Sequence, residues 1–67
     1  MSIDFGAMGN NVRVGRERMN LTRRELAAKA GIGYKHIRRI ENGTGKPSVA
    51  AAVAIANILG VGVGQLI

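Results

Sequence analysis

Apolar positions recur at helical spacing through nearly the whole chain, and no run alternates as a half-buried strand would. Met8, Val12 and Met19 share one side of a first helix expected over 9–18. Gly15 weakens that helix by about 1 kcal/mol relative to Ala. Thr22 stands three residues before Glu25, the spacing of a capping box, and opens a second helix, TRRELAAKA. Leu26, Ala27 and Ala30 face inward there, and Gly31 follows where a left-handed C-cap belongs. A third helix is predicted over 33–41, with Ile37 and Ile40 inward, Ile32 plugging the turn, and Tyr34, Lys35, Arg38 and Arg39 outward. Asn42-Gly43 ends it. Ser48 can cap a fourth helix over 49–59, which Gly60 stops, and residues 62–67 leave room for one more short turn. The pattern is all-α: an N-terminal arm over 1–7, then one domain over 8–67.

Composition narrows what such a domain can do. At 67 residues there is room for one small domain. Without cysteine, disulfides and thiolate metal sites are excluded, and the single His36 cannot hold a metal alone. No paired carboxylates or Ser-His constellation suggest catalysis, and GVGVG follows a helix rather than a strand, so no cofactor or small-molecule ligand is implied. The N-terminus lacks a basic region before an apolar run, which makes a cytoplasmic location the expectation. Residues 49–67 have the length of a membrane span, but their Ala and Gly content and the late glycines favour a buried helix.

The charge distribution adds direction. All ten Lys and Arg residues lie between Arg13 and Lys46, opposed there by Glu17, Glu25 and Glu41 alone; Asp4 completes the acidic set, for a net charge of +6. Residues 47–67 carry no charge. A basic middle beside a neutral tail suggests one polyanion-facing surface and one packing surface. The segment over 22–43 meets the demands of two steeply crossing helices: Ala27 permits close approach, Gly31 makes the turn, and Ile37 and Ile40 lock the second helix onto the first. Such a unit sets its second helix in the major groove of DNA.

The run LTRRELAAKAGIGYKHIRRIENG, continued by KPS, AIANILGV and QLI, resembles the lambda-repressor and Cro-type (XRE-like) helix-turn-helix family over about residues 8–67. The resemblance implies a compact five-helix DNA-binding domain, its helix-turn-helix at about 22–41, in a transcription regulator working as a dimer. It places Tyr34, Lys35 and Arg39 at positions that reach base edges, with Arg38 close enough to contribute. Arg23, Asn42 and the backbone around Gly43 match phosphate-contacting positions, and His36 falls at the groove edge as a further phosphate contact. Arg16 and Glu41 resemble a partly buried ion pair. Arg13 and Lys46 are expected to be ordinary solvated cations unless they flank the DNA, and Arg18, Arg24 and Lys29 to supply field rather than contacts.

Three departures stand out. Gly33 replaces the Ser or Thr that caps the recognition helix, Gly15 occupies an apolar packing position, and Arg23 replaces a Gln whose amide braces a neighbouring side chain. The expected function is a sequence-specific regulator binding double-stranded DNA, repressor-like, dimeric through the neutral region 61–67 with the end of the fourth helix, and reading a near-palindromic operator. Two other readings stay open: a protein-interaction adaptor or antitoxin-like partner with secondary DNA binding, and a non-specific nucleic-acid binder.

Overall fold

The structure is a computed structural model and describes residues 3–67. Five helices follow in order: α1 (Phe5–Arg18), α2 (Arg23–Ala30), α3 (Tyr34–Glu41), α4 (Val49–Leu59) and α5 (Val63–Leu66). No strand occurs among the described residues. None of the helices is long and apolar enough to cross a membrane.

Local chemistry explains most of the boundaries. Thr22 and Glu25 form the reciprocal capping box at the head of α2, with Glu25 N–H donating to Thr22 Oγ1 (3.0 Å) and Thr22 N–H to Glu25 Oε1 (2.8 Å). Gly31 closes α2 at φ +68°, a backbone region that costs a residue with a Cβ about 1–2 kcal/mol. Ser48 caps α4 through Ala51 N–H, and Gly60 ends it.

The first helix departs from expectation. It begins at Phe5 rather than Gly9, because Asp4 Oδ1 accepts from Ala7 N–H and caps it one turn earlier. Phe5–Ala7 therefore belong to α1, and the first two residues of the expected arm lie outside the described residues. At the other end Met19 is exposed rather than inward. The helix stops at Arg18, Asn20 turns the chain at φ +57°, and Leu21 N–H returns to the Arg16 carbonyl. The inward place below Val12 is taken by the buried Arg16, one turn on.

Val12, Leu26, Ala27, Ile37, Ile40, Ile55, Ala56, Leu59 and Leu66 make one core to which every helix contributes. The helix α1 packs across α3, α2 packs on α3 and α4, and α5 closes against α1 and α4. Two glycines inside α1 make these approaches possible. A Cβ on Gly9 would lie 2.3 Å from the Ile40 carbonyl oxygen and 2.8 Å from that of Glu41, so α1 meets the end of α3 there backbone to backbone. At Gly15 a Cβ would meet only the Leu59 side chain, at 3.0 Å. The position expected to hold an apolar residue is thus filled from α4. Asn11 Nδ2 donates to the Leu66 carbonyl at 2.9 Å and ties α1 to the end of the chain.

Candidate nucleic-acid interface

The two sides of α3 differ sharply in burial. Ile37, Ile40 and Glu41 are buried, whereas Lys35, Arg38, Arg39 and Asn42 are exposed and line one shallow depression along the opposite side. Their spacing of three, four and seven residues makes them neighbours on a helix surface. Tyr34 and His36 are half-buried and occupy the two edges between these sides. Tyr34 packs against the core cluster at the edge that faces α2. An eight-residue helix is about 12 Å long, so this cationic stripe is short enough to enter one major groove.

What holds α3 at this angle is a buried ionic junction at its C-terminal end. The Glu41 side chain is fully buried, at 0% exposure, and both oxygens are engaged. Arg16 Nε donates to Oε2 at 2.7 Å and its NH2 group to Oε1 at 3.1 Å; the remaining NH1 group reaches the Leu21 carbonyl at 2.7 Å. Arg16 is only 10% exposed, and its hydrogen bonds to Glu41 raise its pKa above the ordinary guanidinium value, outweighing desolvation. The sequence points to this pair but not to its third member. Arg23 Nε donates to Glu41 Oε1 at 3.1 Å, so the carboxylate bridges α1, α2 and α3. The Arg23 side chain stays 36% exposed, and its terminal nitrogens make no bond among the described residues. Among the described residues no buried side-chain polar atom lacks a partner.

The loop after α3 changes the expected role of Gly43. Gly43 N–H donates to the Ile40 carbonyl at 3.1 Å, Asn42 N–H to Arg38, and the N–H groups of Thr44 and Gly45 both reach the Arg39 carbonyl at 3.0 Å. These amides satisfy the open end of α3 and are not available to an outside anion. The groups left facing out are the Asn42 side chain and the Lys46 ammonium. Lys46 also lies 5.6 Å from the centre of the Phe5 ring, more than a solvated cation. Arg13, likewise expected to be free, pairs with Glu17 at 3.2 Å and bonds Asn10.

At the head of α3, Gly33 offers no side-chain cap. In its place Arg24 stacks over Tyr34, its Cζ 4.3 Å from the ring centre. This corrects the expectation that Arg24 supplies field alone. Adjacent residues in the first turn of α2 point in different directions, so Arg23 turns in to Glu41 while Arg24 lies along the surface onto Tyr34. A basic residue seven positions before the turn glycine carries no sequence signal for such a stack, since it depends on how α2 crosses α3. Arg16, Thr22, Arg23, Arg24 and Tyr34 together line an open cleft beside the stripe.

The apolar surface also differs from expectation. The end of α4 is occupied internally, with Leu59 buried against Gly15, and α5 turns its own Leu66 into the core. Exposed apolar side chains come instead from the start of α4, Val49 at 81% and Val53 one turn on, together with Ile3 and Ile67. Ile3, Phe5, Pro47, Val49, Val63 and Ile67 surround a shallow apolar groove there.

Comparison with known proteins places this geometry. A family model described as Helix-turn-helix matches residues 12–66. Over 48 residues, 72% of the chain, the sequence is 38% identical to the uncharacterized HTH-type transcriptional regulator y4dL of Sinorhizobium fredii, and it spans about a quarter (24%) of that relative's length. The restriction-modification controller protein C.AhdI from Aeromonas hydrophila has a similar structure, with a TM-score of 0.90 at 22% identity, over 96% of this chain and 97% of that one. The clp gene regulator ClgR from Corynebacterium glutamicum matches with a TM-score of 0.88 at 23% identity, over 97% of this chain and 69% of that one. At these identities the two structures support the fold alone.

Proposed function

This chain belongs to the helix-turn-helix family, of the lambda-repressor and Cro type, and from that premise we propose that it is a sequence-specific regulator of transcription that inserts α3 into the major groove of double-stranded DNA. The observation that carries the reading is the two-sided character of α3. One side is locked into the core by Ile37, Ile40 and the Glu41 junction, and the other presents Lys35, Arg38 and Arg39 as a single exposed stripe.

On this reading Lys35, Arg38, Arg39 and Tyr34 reach base edges. Arg can donate two hydrogen bonds to guanine O6 and N7, and a good pair of this kind is worth about 1–3 kcal/mol of discrimination. Tyr34 brings an apolar ring edge and a hydroxyl. Phosphates on the two flanks are held by Arg23, through the nitrogens not used by Glu41, by the Asn42 side chain and by His36. Gly43 contributes by shaping the loop rather than by donating its N–H. Phosphate contacts fix register, and each phosphate neutralised adds about 0.9 to the slope of log affinity against log salt.

The regulator acts as a repressor-like dimer in the cytoplasm, associated with the nucleoid when bound. Two recognition helices one DNA turn apart, about 34 Å, then read a near-palindromic operator. A domain of 31 × 22 × 19 Å has the right size for such a pair. The neutral C-terminal surface, extended by Val49 and Val53, is the pairing face. Selection of bound DNA from a random pool, followed by footprinting of the winner, tests the whole reading. The expected outcome is one consensus with two half-sites about 10 base pairs apart, whose preference changes in Lys35→Ala and Arg39→Ala. Equal binding to all sequences, with uniform weakening in both variants, would leave only non-specific electrostatic binding.

A further inference from the structure

Tyr34 is the half-buried residue of the reading face, with one edge of its ring against the core. It opens α3, its preceding residue Gly33 provides no cap, and a Cβ at Gly33 would meet nothing within 4 Å. The stripe residues Lys35, Arg38 and Arg39 are long and flexible and can adjust to a base, but a tyrosine ring presents its edge only in the direction in which it is held. Arg23 is not what holds it, because its Nε is committed to Glu41 at the far end of α3. The group that covers the ring is the Arg24 guanidinium, 4.3 Å from its centre.

We propose that Arg24 is a positioning residue for sequence readout: stacked on Tyr34, it fixes the ring at the head of α3 and so sets the base preference at the position Tyr34 meets. The proposal rests on the reading of α3 as the recognition helix. It assigns the first turn of α2 a double role. Arg23 anchors the C-terminal end of α3 through Glu41, and Arg24 anchors the N-terminal end through Tyr34. Two neighbouring side chains thus fix both ends of a helix about 12 Å long.

The flat stack, as distinct from attraction to a ring face, needs a planar cation. A guanidinium lies flat on a ring and remains charged, whereas an ammonium is a hydrated point charge on a flexible stem. Arg24→Lys therefore preserves the electrostatic contribution of position 24 and removes the stack, while Lys29→Ala removes one exposed charge from the same helix and leaves the stack intact.

The test combines two readouts on the intact chain. Tyr34 is the only tyrosine and there is no tryptophan, so tyrosine emission anisotropy reports the freedom of this one ring. Binding selections from a random DNA pool report base preference. In Arg24→Lys we expect lower Tyr34 anisotropy in the free protein, an unchanged salt slope, and discrimination at one base pair of each half-site reduced about threefold to tenfold. Lys29→Ala should weaken all sequences alike and keep the consensus. If the unmodified chain selects a consensus and Arg24→Lys selects it equally sharply with unaltered anisotropy, Arg24 has no positioning role and the proposal fails while the recognition reading stands. If the unmodified chain selects no consensus, both fail.

Discussion

Replacing Glu41 with Gln probes the junction on which the attitude of α3 depends. The substitution keeps the shape of the side chain and removes its charge, leaving the Arg16 guanidinium, 10% exposed, without a counter-charge. Arg16 keeps its bond to the Leu21 carbonyl and one neutral bond to the new amide oxygen, while the amide nitrogen sets a donor against its second N–H. Breaking a buried pair in this way costs about 3–5 kcal/mol. Domains of this size have a total stability of about 3–10 kcal/mol, so the loss is a large part of the whole. At about 4–8 °C per kcal/mol, the melting temperature should fall by at least about 12 °C. Arg23 is 36% exposed and solvent screens its share, so Arg23→Met should cost no more than about 1 kcal/mol. Double-mutant cycles in urea then give the deciding comparison. Coupling between Arg16 and Glu41 should exceed that between Arg23 and Glu41 severalfold, and Arg16→Met combined with Glu41→Leu should recover much of the loss. A cost below about 1 kcal/mol for Glu41→Gln, or equal coupling to both arginines, would show that the carboxylate is not the keystone described above.

Further expectations follow from the same contacts. Gly9→Ala should destabilise by more than the roughly 1–3 kcal/mol usual for overpacking, because its Cβ meets two backbone carbonyls; Gly15→Ala, which meets only the Leu59 side chain and is tight only at one methyl, should be near neutral as the gain of about 1 kcal/mol in helix propensity offsets the crowding. Thermal melts of the two variants side by side distinguish these cases, and equal effects would contradict the packing given for α1. The hydrogen bonds from Thr22 hold the Glu25 carboxyl below its ordinary pKa of 4.5. A lowered folded-state pKa gives stability that is present above 4.5 and lost as pH falls through the folded value, so the stability gap between the unmodified chain and Glu25→Gln should close on acidification below about 4.5. A gap that persists well below that range would remove the capping box as its cause. Val49→Glu places a charge on the most exposed apolar side chain among the described residues and should abolish any concentration-dependent dimer in sedimentation without lowering the melting temperature of the monomer. A concentration-independent monomer mass for the unmodified chain, free and on DNA, would end the dimer proposal.

The elements legible in the sequence were those whose signals are local. Thr22 with Glu25, Gly31, Ser48 and Gly60 each act within one helical turn, and the spacing of Leu26, Ile37 and Ile40 fixes which side of a helix turns inward. These residues determined α2, α3 and α4, the helix-turn-helix, and the outward placing of Lys35, Arg38 and Arg39. Asp4 was a local signal too, but the glycines that follow it obscured the start of α1. Only the tertiary structure decided why those glycines are there: Gly9 lets α1 touch the backbone of α3, and such a contact between residues far apart leaves no mark on nearby sequence. The same holds for the diverging fates of Arg23 and Arg24, for the spent amide of Gly43, and for the exposure of Val49 rather than Leu59. Each depends on the angle at which whole helices meet, a property of the packed core rather than of any one segment.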